Sequence, residues 1–163
     1  MTFPDNLALA VPEIVLALGS LGLLVVGAFA PKQTRLVGGG AVLVLLAAAV
    51  AAATQPFGEA FGGGLISDAA ATFAKVAIYL ASAVAIPLGL PWFERRGVLQ
   101  FEFPVLVLLA ALGMGMMASS GDLISLYVGV ELSSLSLYVL AAMHRGSPKA
   151  SEAGLKYFVL GAL

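Results

Sequence analysis

Glu131 stands midway along an apolar stretch, Leu123 to Met143, that contains no other charged residue. A carboxylate at that depth in a bilayer costs roughly 2.5–3.5 kcal/mol on insertion scales, so such a residue needs a partner and usually has a task. The next apolar stretch offers Lys156. With the two stretches read as adjacent antiparallel helices, Glu131 lies roughly 13 Å from the end at which its helix begins, and Lys156 roughly 10–12 Å from the opposite end. Across a hydrocarbon core of about 30 Å those depths differ by a few ångströms, which permits a direct or water-bridged pair. An acid and a base placed this way titrate as a unit: separating them makes the base readier to release a proton and the acid readier to take one. The chemistry on offer is proton or ion transfer; the alternative is a static pair that only fixes helix packing.

Helical spacing puts Tyr127, Val128, Ser134, Leu135 and Tyr138 on the face of Glu131, and Tyr127 and Ser134 bring hydroxyls beside it. Of the eight basic residues, Lys32, Arg35, Arg95, Arg96, Arg145 and Lys149 fall between apolar stretches; only Lys75 and Lys156 lie inside them. Two readings of Lys75 stay open, an outward snorkel and a functional or pairing role. Glu13 sits near the start of the first stretch, within reach of the interface. His144 precedes Arg145 at the end of the fifth, where a cation suits a helix C-terminus and a proton-entry role is the second reading. Met114, Met116 and Met117 read as gap-fillers rather than a copper site. The glycines between Thr54 and Asp68 lack the Lys-Ser/Thr ending of a phosphate loop.

The elements that must carry these residues are membrane spans. The 163 residues are 61% hydrophobic and 10% charged, with mean hydropathy +1.05, more apolar surface than a soluble domain of this size can hide. A net charge of −1 offers no basic field for nucleic acid. The absence of cysteine excludes disulfides, cysteine-ligated iron–sulfur clusters and thiolate metal sites within this sequence. The first residues, Met1 to Asp5, lack a positive n-region, and the apolar run after them is too long for a signal peptide, so it is expected to remain as a span.

The fold class expected is all-α: one membrane domain over residues 1–163, a polytopic bundle of about six helices at 7–30, 36–53, 69–90, 101–118, 123–143 and 148–163, the last truncated at Leu163. Ser67 and Asp68 read as caps of the third helix, Pro87 as a bend near its end, and Asp122 as the residue before the fifth. The six cations between stretches all fall on alternate loops, whereas the remaining loops hold only Glu59, Asp68 and Asp122. By the positive-inside rule the cationic loops are cytoplasmic and the N-terminus is outside.

The block Asp122-Leu-Ile-Ser-Leu-Tyr-Val-Gly-Val-Glu131-Leu-Ser-Ser-Leu-Ser-Leu-Tyr-Val-Leu-Ala-Ala, followed by Glu152-Ala-Gly-Leu-Lys156-Tyr-Phe-Val-Leu-Gly-Ala, closely resembles the subunit N family of proton-pumping NADH–quinone oxidoreductase, respiratory complex I. Asp68, Phe73 and Lys75 resemble the start of that family's third helix. The resemblance implies the N-terminal portion of an antiporter-like fold of about fourteen helices with two inverted five-helix repeats. It implies a proton-translocating role in which Glu131 modulates the proton affinity of lysines near the midplane, with Lys156 as the helix 6 lysine and Lys75 as a further candidate. The enzyme implied is the whole NADH:quinone oxidoreductase, a translocase. This chain would hold no cofactor and no metal; NADH, FMN, iron–sulfur clusters and quinone would belong to other parts of the complex. Its partners would be the other membrane-arm subunits and lipid, with no nucleic acid. Ser133 and Ser136 depart from the family pattern, one of them where a proline is frequent, which implies a straighter fifth helix. Two alternatives stay open: a subunit of a sodium/proton antiporter or membrane-bound hydrogenase, and a membrane scaffold that transports nothing.

Overall fold

The computed structural model describes residues 3–30 and 33–161; Lys32, counted among the loop cations, lies outside them. Seven helices are present among the described residues: α1 (Phe3–Leu9), α2 (Val11–Phe29), α3 (Thr34–Thr54), α4 (Ala69–Arg95), α5 (Glu102–Ala118), α6 (Leu123–Ala141) and α7 (Pro148–Gly161). The stretch expected as one helix over 7–30 is divided at Ala10, whose backbone leaves the helical range. Pro12 accounts for the break: it has no N–H, and its ring would collide with the carbonyl one turn back, so it sits where a new helix begins. Pro87 does not end α4. The helix runs through Pro87 and Pro91 to Arg95.

Four helices, α2, α3, α4 and α6, are long and apolar enough to cross a membrane, and α5 is a shorter apolar helix. Their burial pattern is that of a bundle in lipid. Leu18, Leu43 and Leu123 are 65%, 68% and 81% exposed, whereas the interior is built largely from small residues, with Ala41, Ala48, Ala52 and Ala111 packed around Leu16, Leu45, Tyr79, Ile86 and Leu108. Small side chains let helix backbones approach where no hydrophobic force drives them together. Between α5 and α6 the backbones meet directly. A side chain added at Gly113 would strike the backbone of Gly129 and Ser133, and one added at Gly129 would strike Gly113 and Met117. Ser133 and Ser136 are buried on this same face, and the Ser136 hydroxyl donates to the Leu132 carbonyl at 2.8 Å within its own helix. That bond satisfies the hydroxyl without a neighbour, as serines in membrane helices often do.

The two ends of the bundle differ. At one end Arg35 pairs with Glu94 at 2.7 Å, Arg145 pairs with Glu102 at 3.0 Å, and the Arg96 guanidinium lies 4.2 Å above the Trp92 ring. At the other, the glycine-rich segment expected as a plain loop folds into an antiparallel hairpin, β1 (Gly58–Ala60) with β2 (Leu65–Ser67). The hairpin docks on the α5–α6 turn: the Ile66 amide donates to Ser119 O at 2.8 Å and the Gly121 amide to Gly64 O at 3.1 Å. Gly63 holds φ at +93°, and Gly121 faces its carbonyl with no room for a Cβ, so both positions require glycine.

Candidate functional site

Two aspartates start the helices that carry the ionisable residues. Asp68 accepts from the Ala71 amide at 2.7 Å at the head of α4, and Asp122 accepts from the Ser125 amide at 2.6 Å at the head of α6. Each satisfies an amide that the first turn leaves without a partner. The Ser125 amide also holds the Asp122 carboxyl below the usual carboxylate range. With α4 fixed at Asp68, Thr72, Lys75, Tyr79 and Ser82 recur at helical spacing, and Lys75, Tyr79 and Ser82 are buried.

Lys75 is wholly buried, and its Nζ lies 2.6 Å from Oε1 of Glu13 in the first turn of α2, a carboxylate side chain only 12% exposed. Lys75 is thus buried and paired rather than snorkelling outward. Glu13 turns inward to it and does not reach for the interface. The contact is an ion pair by distance, but its angles do not make a hydrogen bond, so Lys75 Nζ and both Glu13 oxygens lack hydrogen-bond partners among the described residues. Tyr79 Oη and Thr72 Oγ1 are buried and unpartnered in the same way. A group of buried polar atoms without partners is uncommon in folded chains and marks a place for water or for chemistry.

Glu13 also lines a cavity of about 330 Å³, whose other walls include Ala10, Met116 and Ser119, the hairpin residues Phe61, Gly64 and Leu65, and Asp122 and Ser125. The cavity therefore joins the edge of the buried pair to the hairpin end of the bundle.

The pair expected from the sequence, Glu131 with Lys156, is not closed. Glu131 makes no ion pair among the described residues, and the Tyr127 hydroxyl, one turn earlier, lies against its carboxylate. Lys156 instead meets Glu152 on its own helix at 2.6 Å, with side chains 70% and 61% exposed. The i,i+4 spacing makes that contact the nearest one available to a lysine on an open helix face. Ser134 is half-buried. His144 is exposed in the turn after α6, beside a pocket formed by Trp92, Phe93, Arg96 and Leu140. Met117 packs against Gly129 and Met116 lines the cavity, both as apolar filling. The partner of Lys75 was missed in the sequence because spacing within one helix says nothing about which carboxylate on another helix faces it. The polar stripe at Thr72, Lys75, Tyr79 and Ser82 was the readable signal that this face of α4 turns inward.

These features define a class: a polytopic α-helical membrane segment of the antiporter-like kind, with ionisable side chains set among its spans. A family model described as NADH:quinone oxidoreductase/Mrp antiporter, TM, matches residues 120–163. Along its whole length the chain is similar to subunit N of NADH–quinone oxidoreductase. It is 48% identical to that subunit from Parvibaculum lavamentivorans over 99% of this chain and 34% of the relative. It is 50% identical to that of Rhizorhabdus wittichii over 100% of this chain and 35% of the relative. Among solved structures, respiratory complex I from Thermus thermophilus with bound aureothin contains a chain that matches 93% of this one and 33% of its own length, at 31% identity and a TM-score of 0.72. The chain thus spans about a third of the length of the relatives it matches.

Proposed function

We propose that the chain is part of a proton-translocating membrane subunit of a complex I-type NADH:quinone oxidoreductase, set in the bacterial cytoplasmic membrane. The observation that carries this reading is the similarity of this whole chain to about a third of subunit N at 48–50% identity, joined by buried ionisable groups that a passive span would not retain. Electron transfer from NADH through flavin and iron–sulfur clusters to quinone would belong to other subunits of the complex. The neighbours of this chain would be other membrane-arm subunits, which would cover apolar faces such as those of α6 and α7. The end bearing Arg35, Arg96 and Arg145 would face the cytoplasm and the hairpin end the periplasm, with the N-terminus outside.

In this reading Glu131 is a proton-binding carboxylate steadied by Tyr127, and Lys156 is a base that changes partner between Glu152 and Glu131. With Glu152 as partner the two groups of the expected pair are apart; a shift of α7 or of the Lys156 rotamer would bring them together and pass a proton. Breaking a buried pair costs about 3–5 kcal/mol, a scale matched by moving one to two charges through 100 mV at about 2.3 kcal/mol each. The test is Glu131→Gln in the full-length subunit within the assembled complex. Proton uptake per NADH oxidised should fall while assembly persists; unchanged pumping would remove Glu131 from the path. A second reading, a sodium/proton antiporter subunit, is favoured by the antiporter half of the matching family description. Sodium-dependent pH gradients formed without NADH would support it.

A further inference from the structure

We propose that Glu13 and Lys75 form a second, hydrated proton-exchange site that opens through the cavity to the hairpin end of the bundle. Three observations converge. The pair is internal, with Lys75 fully buried and Glu13 nearly so, at 2.6 Å. Its polar atoms, with Tyr79 Oη and Thr72 Oγ1 nearby on α4, have no hydrogen-bond partners among the described residues, although a lysine ammonium carries three donors and a carboxylate about four acceptor sites. The cavity that Glu13 lines, at about 330 Å³, holds several waters at roughly 30 Å³ each, and Ser119, Asp122 and Ser125 give its wall polar partners for them.

The arrangement is directional. Lys75 lies in the second turn of α4 and Glu13 in the first turn of α2, so both sit within roughly 9 Å of the hairpin end of their helices. Glu13 lies between Lys75 and the cavity. A proton leaves Lys75 Nζ for the Glu13 carboxylate, giving a neutral amine and a carboxylic acid; the acid then passes it to cavity water, which becomes hydronium. Return follows the same bonds in reverse. The charged or titratable groups facing the site are Glu13 from α2, Lys75 and Tyr79 from α4, and Asp122 from the head of α6. From α5 the wall is Met116 and Ser119, and from α3 Ala48, Ala49 and Ala52 join the core cluster that contains Tyr79. Tyr79 Oη rests against the backbone of α5 at Gly115, which keeps its hydroxyl near the pair without a bond to either member. The hairpin, held to Ser119 and Gly121 by backbone hydrogen bonds, forms the outer wall.

The inference rests on the proposed proton-carrying role only for its purpose in the cell; hydration and titration of the site can be read separately. The sequence contains no cysteine, so Met116→Cys and Ser125→Cys, each in the full-length subunit of the assembled complex, report cavity water through a small membrane-impermeant methanethiosulfonate, with the unsubstituted subunit as background. Labelling of both, from the hairpin side only, is expected; Met116→Cys unlabelled while Ser125→Cys reacts would overturn the proposal. Infrared difference spectra recorded against pH are the second measurement. A carboxyl band that follows the pH of the hairpin side and disappears in Glu13→Gln is expected, whereas an identical spectrum in Glu13→Gln would overturn the exchange step. Where Glu13→Gln fails to assemble, Glu13→Asp serves, with a displaced band expected and an unmoved one overturning it. Unchanged pumping in Glu131→Gln would remove Glu131 from the path and leave these two measurements standing.

Discussion

Glu13 and Lys75 meet at 2.6 Å inside the bundle, across two different helices and well away from the ion pairs at the cationic end. Removing one member strands the other as an uncompensated charge, which typically costs 3–5 kcal/mol, whereas removing both in favour of apolar residues is often neutral. Glu13→Leu is therefore expected to lower unfolding stability by about 3–5 kcal/mol in mixed micelles. The double variant Glu13→Leu/Lys75→Met should regain most of that loss. If the single and double variants were equally unstable, the pair would not be the cause.

The α5–α6 crossing makes a second, independent demand. Gly113 and Gly129 bring two backbones into direct contact, with Ser133 beside them. Gly129→Leu must force the helices apart, and overpacking of this kind costs typically 1–3 kcal/mol. Unfolding in mixed micelles should show that loss in Gly129→Leu against the parent. Equal stability of the two would mean that the contact tolerates bulk.

How much of this was readable beforehand follows from how local each cause is. Asp68 and Asp122 act on amides three residues away, so Asp68 was legible in the sequence as a cap and Asp122 as the residue before its helix. Four of the apolar stretches were likewise legible as helices long and apolar enough to cross a bilayer, because that threshold depends only on length and composition. The hairpin at residues 58–67 was not legible: three-residue strands carry almost no periodic signal, and this hairpin is held by a backbone bridge to Ser120. Nor was the partner of Lys75, since depth fixes a residue along its helix but not around a bundle. The Glu131–Lys156 expectation shows the same limit: similar depth permits a contact, and Lys156 takes the closer carboxylate of Glu152.

Asp122 gives a pH prediction outside the spans. Its carboxyl is held low chiefly by the Ser125 amide, so the folded group titrates below its unfolded counterpart. The stability it contributes is then fully present above the unfolded carboxylate range and is lost as pH falls through the lower, folded value. Acidification should loosen the head of α6 and the cavity wall that Asp122 forms. Protection of the Ser125 and Leu126 amides, with exchange rates corrected for their intrinsic pH dependence, should fall at acid pH in the parent. In Asp122→Asn that protection should not change with pH; a parent profile as flat as the variant's would contradict the cap as the cause.

Glu131, Lys156 and Glu152 separate structural from transport roles. The Lys156–Glu152 contact is an open i,i+4 pair, a class worth about 0.3–0.5 kcal/mol, so Glu152→Gln should leave assembly and stability nearly unchanged. If Lys156 alternates between Glu152 and Glu131, Glu152→Gln biases it toward Glu131, whereas Lys156→Met abolishes the exchange. Proton uptake per NADH should then fall several-fold in Lys156→Met and in Glu131→Gln. The double variant Glu131→Gln/Lys156→Met should be no worse than either alone, because groups that act on one transfer step do not add. Glu152→Gln should shift the pH dependence of uptake without lowering its maximum as far. Additive losses in the double variant would place the two residues on separate steps, and a stability loss in Glu152→Gln as large as that in Glu13→Leu would show that the open pair on α7 is a packing device.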